Sequence, residues 1–108
     1  ADEDLLRFAF NTSGANTSGA WTFYFDGSDV GLTREDVDAA WMDVSNGDLY
    51  LSVENAFSLS GGVSVAGGAI FVCDPGTLGP ATTCVYRNYW NAATVGLTAN
   101  VDGLFIER

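Results

Sequence analysis

Histidine and lysine are both missing from the 108 residues, and the only basic side chains are four arginines. No Ser-His-Asp or Cys-His relay is therefore available, and no imidazole metal ligand. Without lysine there is no Schiff base, no P-loop and no Lys–Asn isopeptide crosslink. Fourteen acids outnumber the arginines and leave a net charge of −10. That charge repels nucleic acid and anionic membranes. No apolar run has the length of a membrane span, so no membrane insertion is expected. No leader peptide is evident, and Ala1-Asp2-Glu3-Asp4 suits a mature terminus left by cleavage. Cysteine is scarce too: Cys73 and Cys84 are the only pair.

Apolar residues make up 47% of the chain and glycine contributes thirteen positions. This composition supports one domain, residues 1–108, with a single core of strands joined by turns. Leu5 to Phe10 alternates, with Leu6, Phe8 and Phe10 on one face. Ala20 to Phe25 is a second strand with Trp21, Phe23 and Phe25 on one side. Val37 to Val44 is a third. Asn46-Gly47 signals a type I′ hairpin into a fourth strand, Asp48 to Glu54, whose Leu49, Leu51 and Val53 share a face. Further strands are expected at Ala69 to Cys73, Cys84 to Trp90 and Val101 to Ile106, and no window carries a helical period.

The chain also repeats. Residues 29–33 read Asp-Val-Gly-Leu-Thr and residues 94–98 read Thr-Val-Gly-Leu-Thr. Gly14, Thr17 and Tyr24 match Gly79, Thr82 and Tyr89 at the same offset. After a one-residue deletion Val37-Asp38 matches Val101-Asp102, and Trp41 falls opposite Phe105. The expected fold is all-β: an antiparallel, sandwich-like domain of seven or eight strands built from two degenerate, blade-like repeats. Residues 1–54 form the first repeat, 55–68 a Ser/Gly-rich connection, and 69–108 a second repeat without a counterpart of the fourth strand. On this register Cys73 and Cys84 lie on consecutive strands, where Phe8 and Gly19 lie in the first copy. A cross-strand disulfide would close a short loop worth roughly 3 kcal/mol and would suit an extracellular, secreted protein. The other reading is two buried thiols.

Several stretches resemble a tandem β repeat of secreted bacterial proteins. They are Asp2-Glu3-Asp4-Leu5-Leu6, Gly19 to Leu32, Glu35 to Ala39 and Gly47 to Ser52. The resemblance covers residues 2–52 well and the second copy poorly, because Asp26-Gly27-Ser28-Asp29 has become Asn91-Ala92-Ala93-Thr94. It implies secretion and carries over no catalytic or binding residues.

Among candidate sites, Asp26, Asp29, Glu35, Asp36 and Asp38 gather near one loop and offer the oxygen ligands of Ca²⁺. The bland reading is Asx-turns on an acidic surface. Trp21, Trp41, Trp90, Tyr24, Tyr50, Tyr86 and Tyr89 offer a sugar-stacking platform, but Trp21 and Trp41 fall on the apolar faces of their strands and fit a core better. Asn11-Thr12-Ser13 and Asn16-Thr17-Ser18 are glycosylation sequons at Asn11 and Asn16. Carboxylate pairs abound, but none is marked as a hydrolase pair. The expected role is structural and not enzymatic: a subunit of an extracellular fibre or surface assembly, self-associating by strand complementation through Leu6, Phe8 and Phe10. The alternative is a secreted module binding glycan or Ca²⁺; otherwise no cofactor is expected.

Overall fold

The computed structural model describes residues 3–33, 35–58, 63–65, 67–96, 101 and 103–106. It is all-β. Among the described residues eight strands run in chain order: β1 Leu5–Thr12, β2 Ser18–Phe25, β3 Val37–Met42, β4 Leu49–Val53, β5 Phe57–Ser58, β6 Ser64–Val65, β7 Ala69–Thr77 and β8 Thr83–Asn91. Two 3₁₀ turns, Gly27–Val30 and Ala92–Val95, follow β2 and β8. No α-helix occurs among the described residues.

The centre is a four-stranded antiparallel sheet of order β3-β4-β7-β8. Its middle strands are buried throughout β4 and the first half of β7. On one face Leu49, Leu51 and Val53 meet Phe71, Cys73 and Tyr86, under a cover of Phe25, Val30, Leu32 and Val65. On the other face Tyr50, Ile70 and Val72 pack with Trp41, Trp90, Leu104 and Ile106. Both faces of β4 are thus covered, so its two sets of alternating residues are equally buried, Ser52 among them. The β5–β6 hairpin forms a small sheet of its own.

The β1–β2 pair is a separate two-stranded ribbon. The four strands of residues 1–54 therefore do not make one blade: β3 and β4 leave β1 and β2 and join β7 instead. The N-terminal strand is not free but zipped to β2. Two further expectations change in detail. Asn46-Gly47 is not a type I′ turn, since among the described residues no non-glycine residue, Asn46 included, has positive φ. A longer loop is closed by Asp43 N–H to the Asp48 carbonyl at 2.9 Å, and the Asp43 carboxylate caps Ser45 through its N–H and hydroxyl. Positions 101 and 103–106 form no strand; Asp102 lies outside the described residues. Leu104 and Ile106 lie over the sheet face, and Ser52 Oγ donates to the Val101 carbonyl at 2.9 Å.

The disulfide is formed between Cys73 and Cys84 on β7 and β8, with Cα atoms 5.1 Å apart. Cys73 faces Tyr86 and Cys84 faces Pro75, so the bridge runs diagonally across one face of the pair.

The two long hairpins share their irregularities. In β1–β2 the register shifts between Leu5 and Leu6 and between Phe10 and Thr12. In β7–β8 it shifts between Ile70 and Phe71 and between Pro75 and Thr77, each 65 positions later. Both hairpin loops carry the same bonds. Thr17 Oγ1 donates to the Gly14 carbonyl and Thr82 Oγ1 to that of Gly79. Thr12 Oγ1 donates to the Asn16 carbonyl and Thr77 Oγ1 to that of Ala81. Each hairpin ends in a 3₁₀ turn followed by a left-handed glycine, Gly31 or Gly96.

Candidate functional site

The register of β1–β2 sets its two faces. Leu6 faces Phe23, Phe8 faces Trp21 and Phe10 faces Gly19, so these side chains share one surface. Arg7 faces Thr22 and Ala9 faces Ala20 on the other. The first surface is wholly apolar, and most of it is exposed. Leu6 is 56% exposed, Phe10 64%, Trp21 68% and Phe23 42%. The rings order one another: Phe8 and Phe10 meet edge-on at 5.0 Å, and Phe8 tilts against Trp21 at 4.9 Å. Gly19 permits this arrangement. A Cβ there would stand 2.1 Å from the Ala9 carbonyl oxygen and 2.7 Å from the Phe8 ring.

Trp21 is therefore not core, contrary to its pattern on the strand. The physical reason is the register shift beside Leu5: it skips Tyr24 and sets Phe25 opposite Leu5, so Phe25 turns away from Phe23 and Trp21. Phe25 is fully buried against the sheet while its former face-mates stay in solvent. Trp41 does join a core, packed edge-on to Tyr50 at 5.5 Å.

The junction between the ribbon and the sheet is polar and closely specified. The Gly79 N–H donates to the Tyr24 carbonyl at 2.8 Å, beside a parallel bridge between Phe25 and Gly79. The Asp26 N–H donates to Thr82 Oγ1 at 2.8 Å, and the Thr82 N–H donates to Asp29 Oδ2 at 2.9 Å. The Tyr86 hydroxyl donates to the Val30 carbonyl at 3.3 Å, and burial holds its pKa well above the usual tyrosine value. At the base of the ribbon, the Gly27 N–H donates to Asp4 Oδ1 at 3.0 Å.

These bonds engage two of the acidic candidates, Asp26 and Asp29. Asp26 caps the first 3₁₀ turn through Ser28 N–H and Oγ, an Asx-turn, and Asp29 serves the Thr82 N–H. Asp36 is exposed, with its backbone carbonyl taking the Glu54 N–H, and Asp38 is half-buried on β3. Among the described residues no three carboxylate, thiol or imidazole groups come together as a metal set.

Asn11 and Asn16 are exposed at the outer end of the ribbon. A shallow pocket of about 260 Å³ lies beside β8, lined by Ser64, Ala69, Asn88, Tyr89, Trp90 and Asn91. Asn88 Nδ2 donates to the Ser64 carbonyl there, and Tyr89 stacks edge-on to Tyr50 at 4.9 Å.

Leu6, Phe8 and Phe10 share one face, as their alternation predicts. That Trp21 and Phe23 belong to it depends on the register shift, for which the sequence carries no local signal. Searches of protein-family models, curated proteins and solved structures find no match to this chain.

Proposed function

We propose that the chain is a structural subunit of an extracellular fibre or surface assembly, which associates with its own kind through the β1–β2 ribbon. The observation that carries this reading is the apolar surface of Leu6, Phe8, Phe10, Trp21 and Phe23, left in solvent by a chain of net charge −10. Contiguous apolar patches are uncommon on monomers and mark interaction sites. The outer edge of β1 is a second supporting feature, because β1 pairs only with β2 among the described residues. The disulfide fits an oxidising compartment.

Sedimentation velocity over a hundredfold concentration range tests the reading. Self-association should appear as growth of the weight-average sedimentation coefficient. A single monomer species throughout would overturn it.

A second reading, glycan binding, is favoured by the pocket beside β8, where half-exposed Tyr89 and Trp90 sit among asparagine amides. A glycan panel read by calorimetry tests it. Binding that vanishes in Tyr89→Ala supports this site, and no binding removes it.

A further inference from the structure

We infer that a second copy of this chain docks head to tail, its β8 end and second 3₁₀ turn seated on the aromatic face and tip of the β1–β2 ribbon. The inference rests on the self-assembly reading above and adds to it the occupant, the polarity and the contacts.

The argument comes from the junction already present within one chain. The second hairpin, β7–β8, has a counterpart of the ribbon's exposed face. Leu6, Phe8, Phe10 and Trp21 correspond to Phe71, Cys73, Pro75 and Tyr86, each 65 positions on. Phe71 and Cys73 are fully buried and Tyr86 nearly so, whereas Leu6, Phe10 and Trp21 are exposed. What covers the second face is the end of β2 and the segment after it, Phe25, Val30 and Leu32, together with Val65 of β6. The same backbone, with the same register shifts and the same loop bonds, is thus a covered socket in one place and an open one in the other.

The complementary end also recurs. The segment that covers the second socket is β2 running into the first 3₁₀ turn; its counterpart is β8 running into the second. Trp90 stands for Phe25 and Val95 for Val30, and Val95 is 62% exposed where Val30 is buried. Leu97, the counterpart of Leu32, lies outside the described residues.

The polar contacts transfer as well. Gly14 N–H takes the place of Gly79 N–H toward the Tyr89 carbonyl. Thr17 takes the place of Thr82, and Thr94 that of Asp29. Trp21 offers an indole N–H to the Val95 carbonyl where Tyr86 offers its hydroxyl to Val30. One element changes partners on docking. Leu104 and Ile106 pack on the Ile70–Trp90 side of the second hairpin, the counterpart of the Leu5–Phe25 side. Docking replaces this cover by the neighbour's ribbon. Because socket and complementary end are different surfaces, the contact is heterologous and propagates into rows.

Two variants that each add one cysteine test this, Thr17→Cys and Thr94→Cys. Both positions are exposed, and their internal counterparts, Thr82 and Asp29, are hydrogen-bonded neighbours. Under mild oxidation an equimolar mixture should give a mixed disulfide dimer, at least tenfold more than either variant alone. The double variant should give a ladder of longer species. Thr94→Asp, which restores the acceptor that Asp29 provides, should tighten association about tenfold, the value of one charge-assisted hydrogen bond.

Association of the parent chain without the mixed dimer, or with Thr17→Cys coupling to itself, overturns the head-to-tail inference while leaving self-assembly standing. Absence of any association of the parent chain overturns both. Retention of the Cys73–Cys84 bridge, checked by mass, and an unchanged far-ultraviolet spectrum confirm that the variants fold.

Discussion

Replacing Trp21 by serine separates assembly from folding. Trp21 is 68% exposed in the single chain, so little of its surface supports the fold. Folding loses the tilted contact with Phe8 at 4.9 Å, worth about 0.5–1 kcal/mol, and a comparable amount of strand preference. Association loses more. Covering the exposed part of a tryptophan takes on the order of 130 Å² of mainly apolar surface out of water, worth about 3 kcal/mol. That corresponds to roughly a hundredfold in the association constant, within the range of central aromatic anchors. Urea unfolding at low concentration and sedimentation velocity at high concentration measure the two effects on the same preparation. The expected result is a stability loss of roughly 1–2 kcal/mol alongside a hundredfold weaker association. A stability loss above roughly 3 kcal/mol, the mark of a core cavity, with association unchanged would refute the reasoning.

Other outcomes follow from named contacts. Gly19→Ala sets a Cβ against the Ala9 carbonyl and the Phe8 ring; hydrogen exchange should speed up in β1 and β2 while the amides of β4 and β7 stay protected. Replacing Cys73 and Cys84 by alanine should cost roughly 3 kcal/mol in urea unfolding, since the closed loop is short. Tyr86 has its pKa raised by burial, so its contribution to stability is complete below the ordinary tyrosine value and is lost as pH rises past it. Above pH ~10 stability should fall by about 1.4 kcal/mol per pH unit from this group, and Tyr86→Phe should remove that part of the slope. Because each copy carries a charge of −10 and the docking face is apolar, added salt should strengthen association, as read by sedimentation at two ionic strengths.

Alternation was enough to expose much of the fold. Leu49, Leu51 and Val53 on one face of β4, and Leu6, Phe8 and Phe10 on one face of β1, are where their period of two puts them. The cysteine pair was legible because the internal match laid both residues on neighbouring strands. Strand partners were not legible. Nothing local tells β4 to pair with β7 rather than close a blade with β1, since that choice depends on apolar surface distant in sequence. Trp21 misled for a related reason. Its neighbours alternate as a core strand does, but a register shift beside Leu5 turns Phe25 inward and leaves Trp21 outside. The acidic loop read as either a cation site or a set of Asx-turns because capping carboxylates and metal-binding carboxylates draw on the same residues; the bonds of Asp26 to Ser28 and of Asp29 to Thr82 became visible only in the structure.

Electron microscopy of the concentrated protein tests the central claim most directly. The account predicts unbranched rows of subunits that shorten or disappear in Trp21→Ser and are locked by the disulfide that Thr17→Cys forms with Thr94→Cys. A field of single particles at every concentration, from protein with its disulfide intact, would contradict it.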